Sequence, residues 1–126
     1  MKNLIARNVA ATLLATLCAG LLCASASAQT AQWPTRPIKL VIPFGAGGGT
    51  DVIGRFLAQK FTEGLGQTVV VENRPGAGGS LGSAEVARAP ADGYTILIGS
   101  SSTHGINPGM YAKLPYDPLK DFEPIG

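Results

Sequence analysis

Hydrophobic positions along the chain fall into two kinds of run. Ile38-Lys39-Leu40-Val41-Ile42, Thr68-Val69-Val70-Val71-Glu72 and Tyr94-Thr95-Ile96-Leu97-Ile98 are short, nearly continuous and rich in branched residues. Such runs predict strands buried on both faces, as in a parallel sheet. Between the first two, Ile53, Leu57, Phe61 and Leu65 recur every four residues, with Val52 and Phe56 beside them. Arg55, Gln59, Thr62 and Glu63 fall elsewhere. That period predicts an amphipathic helix with this stripe as its apolar face. Thr50 is the expected N-cap, Asp51 sits in the first turn, and Gly66 is the stop. Ser80 to Ala89 predicts a shorter helix through Leu81, Ala84 and Val86, followed by the turn Pro90-Ala91-Asp92-Gly93. Strand starts at 38, 68 and 94 are spaced as βαβ units are, so the fold class expected is α/β, a parallel sheet with flanking helices.

Each strand runs into small residues: Phe44-Gly45-Ala46-Gly47-Gly48-Gly49 after Pro43, Asn73 to Gly79, and Gly99-Ser100-Ser101-Ser102-Thr103-His104. In open sheets, ligands sit outside the carboxyl ends of the strands. Three small-residue loops are therefore expected along one edge. The first joins close backbone approach to a helix start, which suits an anion. Phosphate fingerprints fail. Counting a Walker A from Gly45 places Thr50 and Asp51 where glycine and lysine belong, and a G-x-G-x-x-G from Gly45 or Gly76 ends on Thr50 or Leu81. Two readings stay open: a small carboxylate held by neutral donors, or tight turns beneath close helix–strand packing.

Composition adds an address. Met1 to Asn8 carries Lys2 and Arg7, Val9 to Leu22 is apolar and uncharged, and Ala26-Ser27-Ala28 places small residues before a cut at Gln29. This is the layout of a secretory signal peptide over residues 1–28, and the apolar run is too short to span a bilayer. Lipid attachment at Cys23 wants a small residue before it and finds Leu22. Residues 29–126 hold no cysteine and balance eight cations against eight acids. That excludes a disulfide scaffold or thiolate metal site in the mature chain, and argues against a nucleic-acid binder.

Catalytic constellations are thin. There is one histidine, and Gly99-Ser100-Ser101-Ser102-Thr103 is not a G-x-S-x-G elbow. His104 reads as a loop hydrogen-bonder, Arg74 as a surface residue stiffened by Pro75, and Trp33 and Tyr116 as packing residues. No catalytic residue, metal site or cofactor is expected.

A longer set of motifs runs through the chain: Trp33-Pro34-Thr35-Arg36-Pro37-Ile38, Val41-Ile42-Pro43-Phe44, Gly47-Gly48-Gly49-Thr50-Asp51, Val69 to Gly79, Asp92-Gly93-Tyr94-Thr95, His104-Gly105-Ile106-Asn107-Pro108, Leu114-Pro115-Tyr116-Asp117-Pro118 and Lys120-Asp121-Phe122. In order and spacing they resemble the Bug family, the extracytoplasmic solute receptors of tripartite tricarboxylate transporters. The resemblance implies a type II periplasmic-binding-protein fold, in which two α/β lobes close on a small carboxylate and deliver it to a membrane permease. It implies ligand contacts from Phe44, Gly47, Gly48, Gly49, Thr50 and Asp51 in the first loop, and from Ser102, Thr103 and His104 in the third. The second loop, Gly76 to Gly79, is a weaker candidate. Asp51 is expected to hold loop amides, a water or a ligand amino group, since one ionised carboxylate does not bond another. Family members often carry prolines where this chain has Gly45-Ala46. They also run two to three times the mature length, so residues 29–126 are expected to be part of a first lobe, in a fragment. Two alternatives compete with transport: a partner that reports ligand occupancy to a membrane sensor, and a secreted hydrolase built on Ser100–Ser102 with His104. Exported material is expected to be periplasmic and to begin at Gln29. Mass spectrometry of its N-terminus checks this, and a lipidated Cys23 or an uncleaved form contradicts it.

Overall fold

A computed structural model describes residues 33–126, so the expected signal peptide lies outside the described residues. Three parallel strands, β1 (Ile38–Ile42), β2 (Val69–Asn73) and β3 (Thr95–Leu97), form one sheet in the order β2-β1-β3. Ile38 to Ile42 pair in step with Val69 to Asn73, and Lys39 to Val41 with Thr95 to Leu97. The three strand exits therefore lie together at one edge, as their small-residue sequences suggested. β1 is central and buried at Ile38, Leu40, Val41 and Ile42. Each such side chain contributes roughly 2 kcal/mol by leaving water.

Helix α1 (Gly49–Leu65) links β1 to β2, and α2 (Ser80–Ala87) links β2 to β3. Ile38, Leu40, Val69, Val71, Ile96 and Ile98 share a core with Ala58 and Phe61 of α1. Lys39 points from the other face of β1 to Glu85 of α2 at 3.2 Å. The two helices thus cover opposite faces. On the α2 face, Lys39 also lies 3.5 Å from Glu72, and Arg74 lies 3.1 Å from both Glu72 and Glu85. The four charges close an alternating ring that joins β1, β2 and α2. Arg74 is thereby a paired surface residue.

Two expectations for α1 are corrected. Thr50 is not the N-cap: Gly48 occupies that position in an extended conformation, with no side-chain cap, and Thr50 lies inside the first turn. The apolar stripe is the buried face only in part: Leu57 and Phe61 are half-buried, with Phe61 packed on the core, but the first turns face outward. Val52, Ile53 and Phe56 are 64%, 59% and 60% exposed, while Asp51, Gly54 and Ala58 are buried. The reason is close packing. A Cβ at Gly54 would lie 2.5 Å from Ile42 Cδ1 and 2.9 Å from Ile98 Cδ1, so the helix approaches the sheet through its smallest residues. Gly66 ends the helix in the left-handed region, its N–H donating to the Thr62 carbonyl at 3.1 Å, as expected of a glycine stop.

The polar exit of β3 is also more ordered than a loop. Ser101–Ile106 forms one π-helical turn that runs into a short helix, α3 (Asn107–Met110). Ser100 caps it reciprocally with Thr103: each side chain accepts from the other residue's backbone N–H. The segment after α3 returns to pack here, with Tyr116 buried and its hydroxyl donating to the Thr103 carbonyl at 2.6 Å. At the opposite end of β3, Trp33 lies against Tyr94, ring centroids 5.9 Å apart, and a Cβ at Gly93 would meet its indole.

Two glycine substitutions test this packing. A Cβ at Gly82 in α2 would lie 2.7 Å from the Arg74 carbonyl and 3.0 Å from Pro43 Cα, both backbone. Gly82→Ala is expected to destabilise by roughly 1–3 kcal/mol in spite of its better helix propensity. Gly64, exposed in α1 with nothing near its missing Cβ, is expected to stabilise by about 0.5–1 kcal/mol on change to alanine. Thermal or urea unfolding of the two variants checks both signs.

Candidate functional site

The strand order reverses beside β1. The chain leaves β1 for β2 on one side, then passes over to β3 on the other. In open α/β sheets such a switch point opens a crevice at the carboxyl ends of the two strands. Here the segments that border this position are the loop after β1 (Pro43–Gly48) and the turn after β3 (Ile98–Ile106). An open groove between α1 and β2, lined by Arg55, Ala58, Thr62, Val69 and Val71, runs along the sheet's other edge.

The loop after β1 is held from below. Gly47 takes φ +82°, and its N–H donates to Asp51 Oδ2 at 2.8 Å. The same oxygen accepts from Arg55 Nε at 3.0 Å, and Oδ1 accepts from Asn73 Nδ2 at 2.9 Å. Asn73 Nδ2 also donates to the Phe44 carbonyl at 3.1 Å, and Arg55 Nη2 donates to Asn73 Oδ1 at 3.2 Å. Asp51 is only 3% exposed. The Arg55 side chain, then the Gly47 amide and the Asn73 side chain, hold its carboxyl down from the ordinary 3.8 to about 2. Asp51 therefore secures a loop amide, and is a foundation of the site more than a surface of it.

Above that foundation the α1 terminus is bare. The amides of the first helical turn have no intrahelical acceptor, and no side chain caps them. Gly48 and Gly49 are exposed and Thr50 half-buried, so N–H groups and the positive end of the helix dipole face solvent. Arg55 is paired with Asp51, and Arg74 with Glu72 and Glu85. Neutral donors, not cations, line this part of the crevice.

The three loops meet at Gly79, φ +89°. A Cβ there would lie 2.7 Å from Thr103 Cγ2 and 3.3 Å from Phe44 Cζ. The structure thus brings Phe44 and Thr103 together across the second loop. Asn107, buried, fixes that loop by donating to the Gly78 carbonyl at 2.9 Å and to Ser80 Oγ at 3.0 Å. Thr103 is fully buried, and its hydroxyl bonds Ser100 and His104 Nδ1, the latter at 2.8 Å. It shapes the turn rather than facing the crevice. His104 packs against Phe122 and Tyr116, with ring centroids 5.1 and 6.4 Å away, and against Gly99. Burial lowers its imidazole below the ordinary 6.5, which favours the neutral ring. Ser102 is half-buried at the start of the turn. His104 bonds a threonine, and no hydrogen bond from a Ser100–Ser102 hydroxyl to its ring is present among the described residues. Sequence reasoning did not single out Asn73, Arg55, Asn107 or the Tyr116 hydroxyl. The one signal pointing to Asn73 was a carboxamide at a strand exit.

Comparison with known proteins agrees with this architecture. Residues 53–126 match the family model described as the tripartite tricarboxylate transporter family receptor. The protein BugT of Bordetella pertussis is 45% identical over 103 residues, which are 81% of this chain and 31% of BugT. Among solved structures, the periplasmic binding protein BugD superposes with a TM-score of 0.71 at 48% identity, over 75% of this chain and 31% of that one. MatC from Rhodopseudomonas palustris, solved with bound malate, gives 0.71 at 41% identity, over 74% and 32%. An α/β fold with a switch-point crevice defines the class, a periplasmic-binding-protein-like domain. Within that class the chain belongs to the tripartite tricarboxylate transporter receptor family, whose members include the Bug proteins. It spans about a third of the length of the curated relatives it matches.

The Asp51 contacts carry a pH signature. Because its folded pKa lies below its unfolded one, its stabilising contribution is complete above about pH 4 and disappears as the pH falls through about 2. Wild-type chain is expected to lose stability over that window. Asp51→Asn is expected to lose less, as acid unfolding followed by circular dichroism checks.

Proposed function

We propose that residues 29–126 form part of the first lobe of a two-lobe periplasmic receptor, after removal of a signal peptide ending at Ala28. The receptor captures a small di- or tricarboxylate and delivers it to the permease of a tripartite tricarboxylate transporter. The observation that carries this reading is the uncapped N-terminus of α1, opening at the switch point with neutral donors around it. A carboxylate supplies the acceptors those amides lack. Gly48, Gly49 and Thr50 would give amides and a hydroxyl, and Ser102 a hydroxyl from the facing turn, while Gly47, whose amide Asp51 holds, would set the shape of the loop. Phe44 would give an apolar wall, and His104 a neutral backing ring. Asp51 and Thr103 would act beneath this surface. Family membership supports the reading, as does the malate held by MatC. The chemistry of this reading is capture without covalent change, which membership of a receptor family supports.

Malate added to the chain is expected to shift the amide resonances of Gly48, Gly49 and Thr50 in roughly the millimolar range, since one lobe supplies part of the contacts and affinity per ligand atom is bounded. Gly48 has φ −81°, which any residue adopts, and its missing Cβ meets only the Gly45 carbonyl at 3.7 Å. Gly48→Val should cost no more than the roughly 1 kcal/mol of a poorer N-cap, leave the chain folded, and lose the malate response. An equal response in the variant would show that the loop is only a turn.

A further inference from the structure

We propose that Arg55 and Asn73 are positioning residues of the anion site: Asn73 ties the first loop to the end of β2, and Arg55 cancels the charge of Asp51 beneath the α1 amides. The proposal rests on the carboxylate reading above and concerns how the same site tolerates a buried negative charge.

Asp51 is the third residue of α1. A carboxylate there favours the helix but repels any anion docked on the same terminus. At separations of several ångströms and an intermediate effective dielectric, one uncompensated charge weakens anion binding by on the order of tenfold or more. Asp51 does not escape by taking up a proton, because its bonds keep it ionised down to about pH 2. The compensation must come from a cation. Arg55, one turn on, places Nε 3.0 Å from Oδ2, the oxygen that also holds the Gly47 amide. The strand residues facing this part of α1, Ile42 and Ile98, carry no charge. Arg55 is the ion-pair partner of Asp51 among the described residues.

Asn73 completes the arrangement from the sheet. Its Oδ1 accepts from Arg55 Nη2, which orients the guanidinium, and its Nδ2 donates to both Asp51 Oδ1 and the Phe44 carbonyl. Asp51, Arg55 and Asn73 therefore form a closed triangle of side chains. One corner reaches the Gly47 amide and another the Phe44 carbonyl, so both ends of the glycine loop are fixed to one rigid strand exit. A role limited to stability would lower the melting temperature of variants and leave their anion affinity unchanged.

The test is nuclear magnetic resonance on the 126-residue chain, with malate as probe. Without malate, the Gly47 amide reports ionisation of Asp51 and should titrate near 2 in the wild type. Arg55→Met should raise that midpoint by about one unit or more. With malate near pH 6, Arg55→Met should need roughly tenfold more probe to shift Gly48–Thr50, and Arg55→Lys should recover most of the loss. An unchanged midpoint, or unchanged malate affinity in Arg55→Met, overturns the proposal. If Arg55→Met loses its native spectrum, Asn73→Asp decides. It sets a second carboxylate against Asp51, so its affinity relative to wild type should fall as the pH rises from 4 to 7, and a flat ratio overturns the proposal. A wild-type chain that ignores malate overturns the carboxylate reading together with this one. A wild type that responds, with Arg55→Met responding at the same concentration, overturns the positioning role alone.

Discussion

Right-handed crossovers leave this chain little choice of architecture. A path that runs from β1 to β2, then back across β1 to β3, must send its two connecting helices to opposite faces of the sheet. α1 and α2 do so. Once they do, neither connecting helix covers the carboxyl ends of β1 and β3, the position where open α/β sheets hold their ligands. The residues decide only what that position presents. In this chain they present a helix terminus without a cap, because glycine occupies the position where serine, threonine or aspartate would have bonded the amides.

How legible this was in the sequence varied with the physics of each element. β1 was readable to the residue, since a central strand buried on both faces must be a continuous apolar run. β2 and β3 shift at their ends because pairing, not hydropathy, sets them: Asn73 belongs to β2 through its pairing with Ile42. The face of α1 was misread in part because periodicity weighs large apolar residues as inward. Close helix–sheet contact instead selects Gly54 and Ala58, and it turns Ile53 and Phe56 outward. The turn after β3 was hidden in a polar run of low helix propensity, and reciprocal bonds between Ser100 and Thr103 hold it in shape.

The site shows the same division. Its surface is local in sequence, so glycines followed by a helix announced it. Its foundation is not. The bond from Asn73 to Asp51 spans 22 residues, and those from Asn73 to Phe44 and from Asn107 to Gly78 each span 29. Such pairs become visible only when the fold brings three strand exits to one edge. Their side chains are buried or half-buried amides and carboxylates, for which an unmade bond is expensive. A loop mounted on them is far less free to change shape than its glycine content suggests.

The placement of Trp33 has an optical consequence. It is the chain's one tryptophan, and it packs on Tyr94 and Gly93 at the amino end of β3, across the sheet from the glycine loops. Light absorbed by Tyr94 passes readily to an indole ring 5.9 Å away. Emission from this indole, whether excited directly or through Tyr94, therefore reports how the segment before β1 docks, at the end of the sheet away from the glycine loops. For this chain, intrinsic fluorescence is a gauge of folding and a poor gauge of occupancy.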